Sequence, residues 1–429
     1  MKIALHTFAF ILPFYVLVSQ LNSCTTNSQA PTPSGQNYSQ NFKQKKEILH
    51  PKITIYHRSN LISEIYFSLN SKELLYIKQP DSGIYKAKYN VQYVLTAPVE
   101  KKIIDSASVN LTDTYSNTSK TIIGKLDFAA TFSNEYLLEI VITDLNRNIF
   151  SKSIFNINKT DLTNRQNFLV LSAEKNTPIF KDYISKNERV RIQYRTDETK
   201  LRCRYYNRKF PLPLPPFSES VISPFEYKAD SIFPIQLSKN DLTGNTFGKP
   251  GFYHLQADTN STEGLTLFRF YDDFPYIKKS TQLLEPLRYI TSRQEYQLLE
   301  SNKNIKEAVD SFWVSIGGSR DKARELIKNF YNRVQNANEY FSSYVEGYKT
   351  DKGLIYIIYG SPNIMYESPN AENWVYGEEH NINSLTFTFV KVINPFTDND
   401  YRLERSPNYK TSWLNAIEMW RQGRVTLEK

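Results

Sequence analysis

The chain has only two cysteines, Cys24 and Cys203, in 429 residues, too few for a disulfide framework, so packing must supply the stability of any fold. Arg202 and Arg204 flank Cys203 and would lower a thiol pKa, but a half-buried strand cysteine is the simpler reading. No HExxH, Cys/His cluster, GxSxG or phosphate-binding loop occurs. Zinc and serine-hydrolase chemistry lose their usual signatures, and no cofactor or metal site is expected. Long basic tracts are also missing. The formal charge of +9 is spread thinly, with Lys43 to Lys46 and Arg202 to Lys209 as the visible runs, which suits solvated faces with weak attraction to anionic lipid or glycan better than nucleic-acid binding. Beyond the first 24 residues, no apolar run approaches the roughly 20 residues needed to cross a bilayer.

What is present begins with an address. Met1-Lys2, an apolar run from Ile3 to Val18 and then Leu21-Asn22-Ser23-Cys24 read as a removable export signal over residues 1–23. The last four residues resemble the bacterial lipobox, in which the cysteine becomes the first mature residue and carries lipid. That resemblance implies attachment to a membrane through Cys24; an ordinary secretory signal with a stray cysteine is the alternative. Residues 24–48 are rich in Ser, Thr, Asn, Gln and Pro with few aliphatic side chains, and read as a flexible tether. Random-coil scaling places the folded body roughly 25 Å from the membrane on such a tether.

About 405 residues remain after the signal, room for two to four domains. Across 49–160 the pattern is short β segments: 53–56, 64–67, 85–95, 108–111, 121–123, 136–142 and 149–155. Their period-two alternation and intervening turn residues predict an all-β sandwich of immunoglobulin or fibronectin type. A second β-rich sandwich domain is expected over 165–277, with strands at 168–171, 189–194, 201–206, 251–257 and 265–271. In its middle, Phe210-Pro211-Leu212-Pro213-Leu214-Pro215-Pro216-Phe217 cannot be an interior strand, because four prolines remove ladder donors and fix φ. It reads as a stiff polyproline-like connection crossing between sheets.

Composition changes near residue 280. All four tryptophans, Trp313, Trp374, Trp413 and Trp420, lie beyond that point, and the spacing turns helical. Helices are expected over 282–301, 305–313, 320–341 and 412–421, the third with an apolar stripe from Ala323 to Phe341. Leu354 to Tyr359 reads as an apolar β run stopped by Gly360-Ser361-Pro362, and 385–390 as a second strand. Residues 280–429 are therefore expected to form an α+β domain.

Phe312-Trp313, then Asn329-Phe330-Tyr331-Asn332-Arg333-Val334 with Ala337-Asn338 and Phe341, then Gly347-Tyr348-Lys349-Thr350-Asp351-Lys352-Gly353 running into Leu354–Tyr359 and Gly360-Ser361-Pro362, resemble the GWxTD domain. The resemblance starts near Leu284-Glu285-Pro286-Leu287 and covers the last third of the chain. Tyr348 stands where the family has Trp. It implies an exported protein or lipoprotein of a Bacteroidetes-type bacterium, a fold, and no reaction. Thr25 to Gln29 lack the acidic run associated in that group with surface display, which points to an outer-membrane lipoprotein facing the periplasm. Asp105-Ser106-Ala107 and Asp230-Ser231-Ile232 resemble the group's short O-glycosylation pattern, with Ser106 and Ser231 as acceptors.

On physical grounds the motif reads as a structural corner. Gly347 permits a turn closed to other residues, Tyr348 plugs the core, and Thr350 and Asp351 bond nearby backbone amides before Gly353 admits the next strand. The competing reading pairs Asp351 with Glu346 as catalytic carboxylates, with Glu367, Glu372, Glu378 and Glu379 downstream and His380 the domain's one histidine. Three function classes follow: a non-catalytic scaffold or accessory of an envelope assembly with protein partners, a glycan or peptidoglycan binder using exposed aromatics, and an unrecognised hydrolase built on Asp351.

Overall fold

The computed structural model describes residues 49–196, 199–219, 225–237, 244–368, 370–378 and 381–425. Every described residue belongs to one compact unit. Cys24, the signal over 1–23, the tether over 24–48, Glu379 and His380 lie outside the described residues.

Eight strands make up the first β unit: β1 (Lys52–Tyr56), β2 (Ile62–Asn70), β3 (Ile77–Lys78), β4 (Tyr85–Ala97), β5 (Lys102–Thr114), β6 (Thr121–Ala129), β7 (Glu135–Asp144) and β8 (Ile149–Asn158). One antiparallel sheet runs β1-β2-β6; in the other, β4 pairs with β3, β5 and β7, and β7 with β8. In β4, Ala87, Tyr89, Val91, Tyr93 and Leu95 are buried and alternate with the more exposed Lys88, Asn90, Gln92 and Val94, the pattern of a strand with one face on a core. These residues meet Ile65, Phe67 and Leu69 of β2 in one apolar cluster between the sheets. All seven segments expected here lie inside strands. The outer face of β2 is covered as well, since Tyr66 and the neighbouring Tyr56 pack on Leu169 and Leu171 of the next unit.

The second unit holds β9 (Phe168–Ser172), β10 (Arg189–Tyr194), β11 (Lys200–Tyr206), β12 (Ser231–Gln236), β13 (Asn245–Thr246), β14 (Gly251–Gln256) and β15 (Leu265–Arg269). Its sheets are ordered β13-β10-β9 and β12-β11-β14-β15. Strand β12, not expected from sequence, contains Pro234 and is mostly exposed at the end of its sheet, where a missing N–H is tolerated. Cys203 is fully buried on β11, and burial pushes its thiol up to about 12, the opposite of activation by the flanking arginines. The second sheet is covered on both faces. Tyr206, Phe252 and Phe268 on its far side pack around Phe396, which arrives from the C-terminal region.

Six helices and four strands follow: α1 (Ser280–Leu287), α2 (Arg293–Glu300), α3 (Ile305–Gly317), α4 (Arg320–Phe341), α5 (Asp351–Tyr359), β16 (Ile364–Glu367), β17 (Ala371–Tyr376), β18 (Leu385–Lys391), β19 (Tyr401–Leu403) and α6 (Tyr409–Arg421). The described residues are thus mostly β-sheet with a helical C-terminal region. The strands form an antiparallel sheet in sequence order, and Trp313, Phe330, Phe341, Trp374, Phe389 and Trp420 share one core with α5.

Three expectations fail here. The single helix over 282–301 is two, because Ser292 and Glu295 form a reciprocal capping box that starts α2 afresh. Leu354 to Tyr359 is helix rather than strand: Asp351 through Ile358 are all buried, so no polar face exists to set a period and a short apolar run is ambiguous. The proline-rich segment does not cross between sheets. Leu212 and Phe217 pack on the C-terminal core, the Leu214 carbonyl accepts from Arg405 at 3.1 Å, and the Pro216 carbonyl accepts from the Ser406 amide at 3.0 Å. Prolines lack donors but keep acceptors, which makes this segment a strap across the C-terminal domain.

Candidate functional site

The Gly347-to-Pro362 stretch is wedged between α4, the strap and the β16–β19 sheet. Gly347 opens a 3-10 turn, Gly347–Lys349. A Cβ there would lie 1.8 Å from the Ala337 carbonyl oxygen of α4, so the residue is glycine because backbone meets backbone. Gly353 has the same reason: its Cβ would fall 1.9 Å from the Gly347 oxygen. It does not admit a strand; it sits in the first turn of α5. Thr350 caps that helix, its Oγ1 accepting from the Gly353 amide at 3.0 Å and donating to the Gly347 carbonyl at 2.8 Å, as a threonine N-cap does. At the far end Gly360 takes φ +81°, where only glycine is at ease. Its carbonyl accepts from the Tyr376 hydroxyl at 2.9 Å, and buried Pro362 follows. Tyr359 packs against Tyr376, Phe387 and Trp413.

Tyr348 is buried, its hydroxyl donating to Glu285 of α1. Burial, then the nearby Glu346 and Glu285 carboxylates, drive its pKa far up, so it stays a neutral donor. Its amide donates to Asn338 Oδ1 at 3.2 Å, and Asn338 Nδ2 reaches the Tyr271 hydroxyl and the Pro275 carbonyl at 3.0 and 3.1 Å. Asn338 therefore ties the motif to the chain leaving β15.

Asp351 does not bond local amides and does not meet Glu346. Its Oδ2 accepts from the Leu403 amide of β19 at 2.8 Å, and Arg405 grips both carboxylate oxygens at 3.1 and 2.5 Å. The same guanidinium donates to Leu214 of the strap. Glu346 pairs with Lys349 at 3.6 Å. Beside this pair, Lys352 Nζ donates to Glu372 Oε1 at 3.0 Å and Asn399 Oδ1 at 3.2 Å, and stands 3.7 Å over the Tyr401 ring. Glu372 Oε2 accepts from Trp374 Nε1 at 3.0 Å. Glu367 faces Glu372 across the β16–β17 ladder, and burial, then that neighbour, raise its pKa. Glu378 lies apart, accepting from Asn381.

This arrangement satisfies charge against charge in a dry layer. Asp351 and Lys352 are each buried, Lys352 against buried Glu372 and Asp351 against the largely covered Arg405 side chain; breaking one partner from such a pair is costly, although the pair itself adds little net stability. A groove of about 900 Å³ between α3 and α4 and another of about 400 Å³ beside β12 and β13 are lined by no motif residue. No group of three His, Cys, Asp or Glu side chains suited to a metal occurs among the described residues. Sequence reasoning missed Arg405 altogether; it had Glu372 as a possible catalytic carboxylate and named Glu285 and Leu214 only as parts of longer stretches, not as partners of Lys352, Tyr348 and Arg405. Lys352 sat inside the motif without a role assigned to it from sequence, and its signal was a lysine placed next to Asp351 at the start of an apolar run.

Residues 251–422 match the model of the GWxTD domain family, so the C-terminal part of the chain is a GWxTD domain. The match begins earlier than Leu284 and takes in β14 and β15, the strands whose Phe252 and Phe268 meet Phe396. No curated protein matches the chain. Among solved structures, a Bacteroides uniformis beta-glucuronidase is similar over 29% of this chain and 14% of its own, at 8% identity and a TM-score of 0.18. A calcium-binding mutant of Bacteroides uniformis beta-glucuronidase 2 gives the same values. Bacteroides uniformis beta-glucuronidase 2 covalently bound to cyclophellitol-6-carboxylate aziridine gives 9% identity, a TM-score of 0.18 and coverage of 27% and 14%. The chain spans 14% of the length of these enzymes; at such scores they inform neither fold nor activity.

Proposed function

We propose that the protein is a non-catalytic lipoprotein of the outer membrane, held by lipid on Cys24 and facing the periplasm, that serves as a scaffold or accessory of an envelope assembly of the outer-membrane assembly, secretion or gliding type. The reading carries with it a Bacteroidetes-type origin, immunoglobulin-like or fibronectin-like sandwiches over 49–160 and 165–277, and a C-terminal domain over 280–429. One observation supports it above others. Asp351, the motif's carboxylate, is bonded on both oxygens inside a packed layer and borders neither groove. A general acid or nucleophile needs contact with substrate; a strut needs bonds to the parts it joins, and Asp351 has them.

Crosslinked affinity purification of the full chain from native membranes tests the assembly. Recovery of a stable set of envelope proteins supports the proposal, and recovery of none under conditions that capture a known complex argues against it. Cys24→Ala with metabolic lipid labelling tests the anchor, and label persisting in the variant would show that lipid sits elsewhere. Ser106 and Ser231 are exposed, as acceptors must be, and an intact mass equal to polypeptide plus lipid would remove the glycosylation idea.

A further inference from the structure

Leu75, Ile77, Ile84, Tyr85 and Tyr115 are between 39% and 53% exposed, and all sit at one end of the first β unit. Their grouping follows from the ladder: Ile77 pairs with Lys86 and Lys78 with Tyr85, the Tyr115 amide donates to the Tyr85 carbonyl at 3.0 Å, and the Tyr115 ring lies 5.4 Å from Tyr76 and 6.2 Å from Tyr85. An apolar end of this kind on a folded unit calls for something to cover it.

The exposed charges around it are mostly positive. Lys72, Lys78 and Lys88 are exposed. The nearby carboxylates are mostly engaged: Glu73 by His50 at 2.9 Å, Asp113 by the Tyr76 hydroxyl at 2.7 Å and Lys120 at 2.8 Å, and Asp144 by Arg147 at 3.0 Å within a buried turn. Asp81 is the exposed acid at this end. Tyrosine rings and aliphatic side chains rimmed by lysines suit the boundary between lipid headgroups and acyl chains, where the ring is half solvated and the ammonium reaches phosphate. The rings meet at 72° and 57°, so they do not lie coplanar as a platform for stacking a sugar would.

The path of the chain gives the same direction. The 48 residues preceding the described fold join it at Leu49, and His50 is clamped to Glu73, two residues before Leu75. We propose that this end of the first β unit is a membrane-contact surface that seats on an anionic lipid bilayer. Its orientation rests on the lipid-tether reading for Cys24, since the tethered end and the apolar end coincide.

The test uses the full chain reconstituted into vesicles of phosphatidylcholine with about one third phosphatidylglycerol, with brominated acyl chains as quenchers. The four native tryptophans are buried. Tyr115→Trp places an indole in the patch, and Leu61→Trp places one at the opposite end of the strands. The added indole at 115 should lose about half its fluorescence or more and that at 61 little, as expected for a group within the interfacial layer. Lys72→Glu, Lys78→Glu and Lys88→Glu combined should reduce the quenching at 115 several-fold. Absence of quenching at 115, equal quenching at both positions, or an effect produced equally by a soluble polysaccharide would each overturn the proposal. Intact mass of the same sample shows whether Cys24 carries lipid. Quenching at 115 without that lipid would sink the tether and leave the surface standing; lipid without quenching would do the reverse.

Discussion

Between the two sheets of the first β unit the side chains that meet are Ile65, Phe67 and Leu69 against Val91, Leu138 and Ile140, whereas around α5 the apolar residues are interleaved with buried charges. Arg333 donates to the Ile357 and Ile358 carbonyls at 3.2 Å, neutralising the negative end of α5. Asp351 and Lys352 hold the other end. In the first unit the buried polar groups lie outside that layer: His57, Ser63 and Lys159 collect at the junction with the second unit, where His57 Nδ1 lies 2.9 Å from Ser63 and Lys159 3.3 Å from it, and Asp144 sits in the turn after β7, paired with Arg147. An apolar layer loses stability in proportion to what is removed. A charged layer fails when one partner goes, because the other is left in a dry place. The two regions should therefore respond differently to single substitutions.

Asp351→Ala should show the largest effect. It leaves the largely covered Arg405 without its counter-ion and the buried Leu403 amide without an acceptor, a loss of about 3 kcal/mol, read as a lowered melting temperature of the full chain. Asp351→Asn keeps one acceptor and should lose less. An Asp351→Asn protein that is fully stable and correctly localised but fails to complement a deletion strain would overturn the structural role given to this residue. Gly353→Ala comes next, at about 2 to 3 kcal/mol, because the new methyl meets the Gly347 carbonyl rather than a movable side chain. A denaturation midpoint unchanged by that substitution would mean the corner is looser than its geometry.

Asp400 offers a test of opposite sign. Burial raises its carboxyl from 3.8 to about 6, with Arg402 and the Asn394 amide opposing. The folded value lies above the unfolded one, so its stabilising contribution is complete below pH 3.8 and is lost as the pH rises through 6. Asp400→Asn should accordingly stabilise the protein at pH 7 by about 1 to 2 kcal/mol, the shift discounted for partial exposure, and flatten the stability profile between pH 4 and 6. Urea midpoints across that range check it. The smallest effect belongs to the first unit: Ile140→Val removes one methylene from a wholly apolar layer and should lower stability by about 1 kcal/mol, with Asp351→Ala several times larger. Equal losses would erase the contrast between the two layers.

How far the chain could be read in advance follows the same division. In β4 one face meets the core and the other water, so the alternation of Ala87, Tyr89, Val91 and Tyr93 with Lys88, Asn90 and Gln92 is visible in the letters. Strand β12 was hidden because Pro234 argues against a strand and Ile232 and Phe233 are exposed. Helix α5 misled because burial on every side erases the period that distinguishes helix from strand. The glycines and Thr350 of the motif were legible as a corner since their constraint is local. The partner of Asp351 was not: Arg405 lies 54 residues away, and nothing in spacing selects it from the other arginines of the domain. Likewise, no sequence rule places the Leu214 carbonyl beneath that guanidinium.

That last contact has a mechanical consequence. Arg405 clasps Asp351 with one hand and the strap at Leu214 with the other, while Ser406 holds Pro216 one residue further on. Polyproline segments are stiff and stretch little. Tension drawn along the chain toward the N-terminal side of the strap thus reaches the first turn of α5 through the Arg405 guanidinium, which makes Arg405 a shear pin that shares its load with the Ser406 amide and with Leu212 and Phe217 packed on the core.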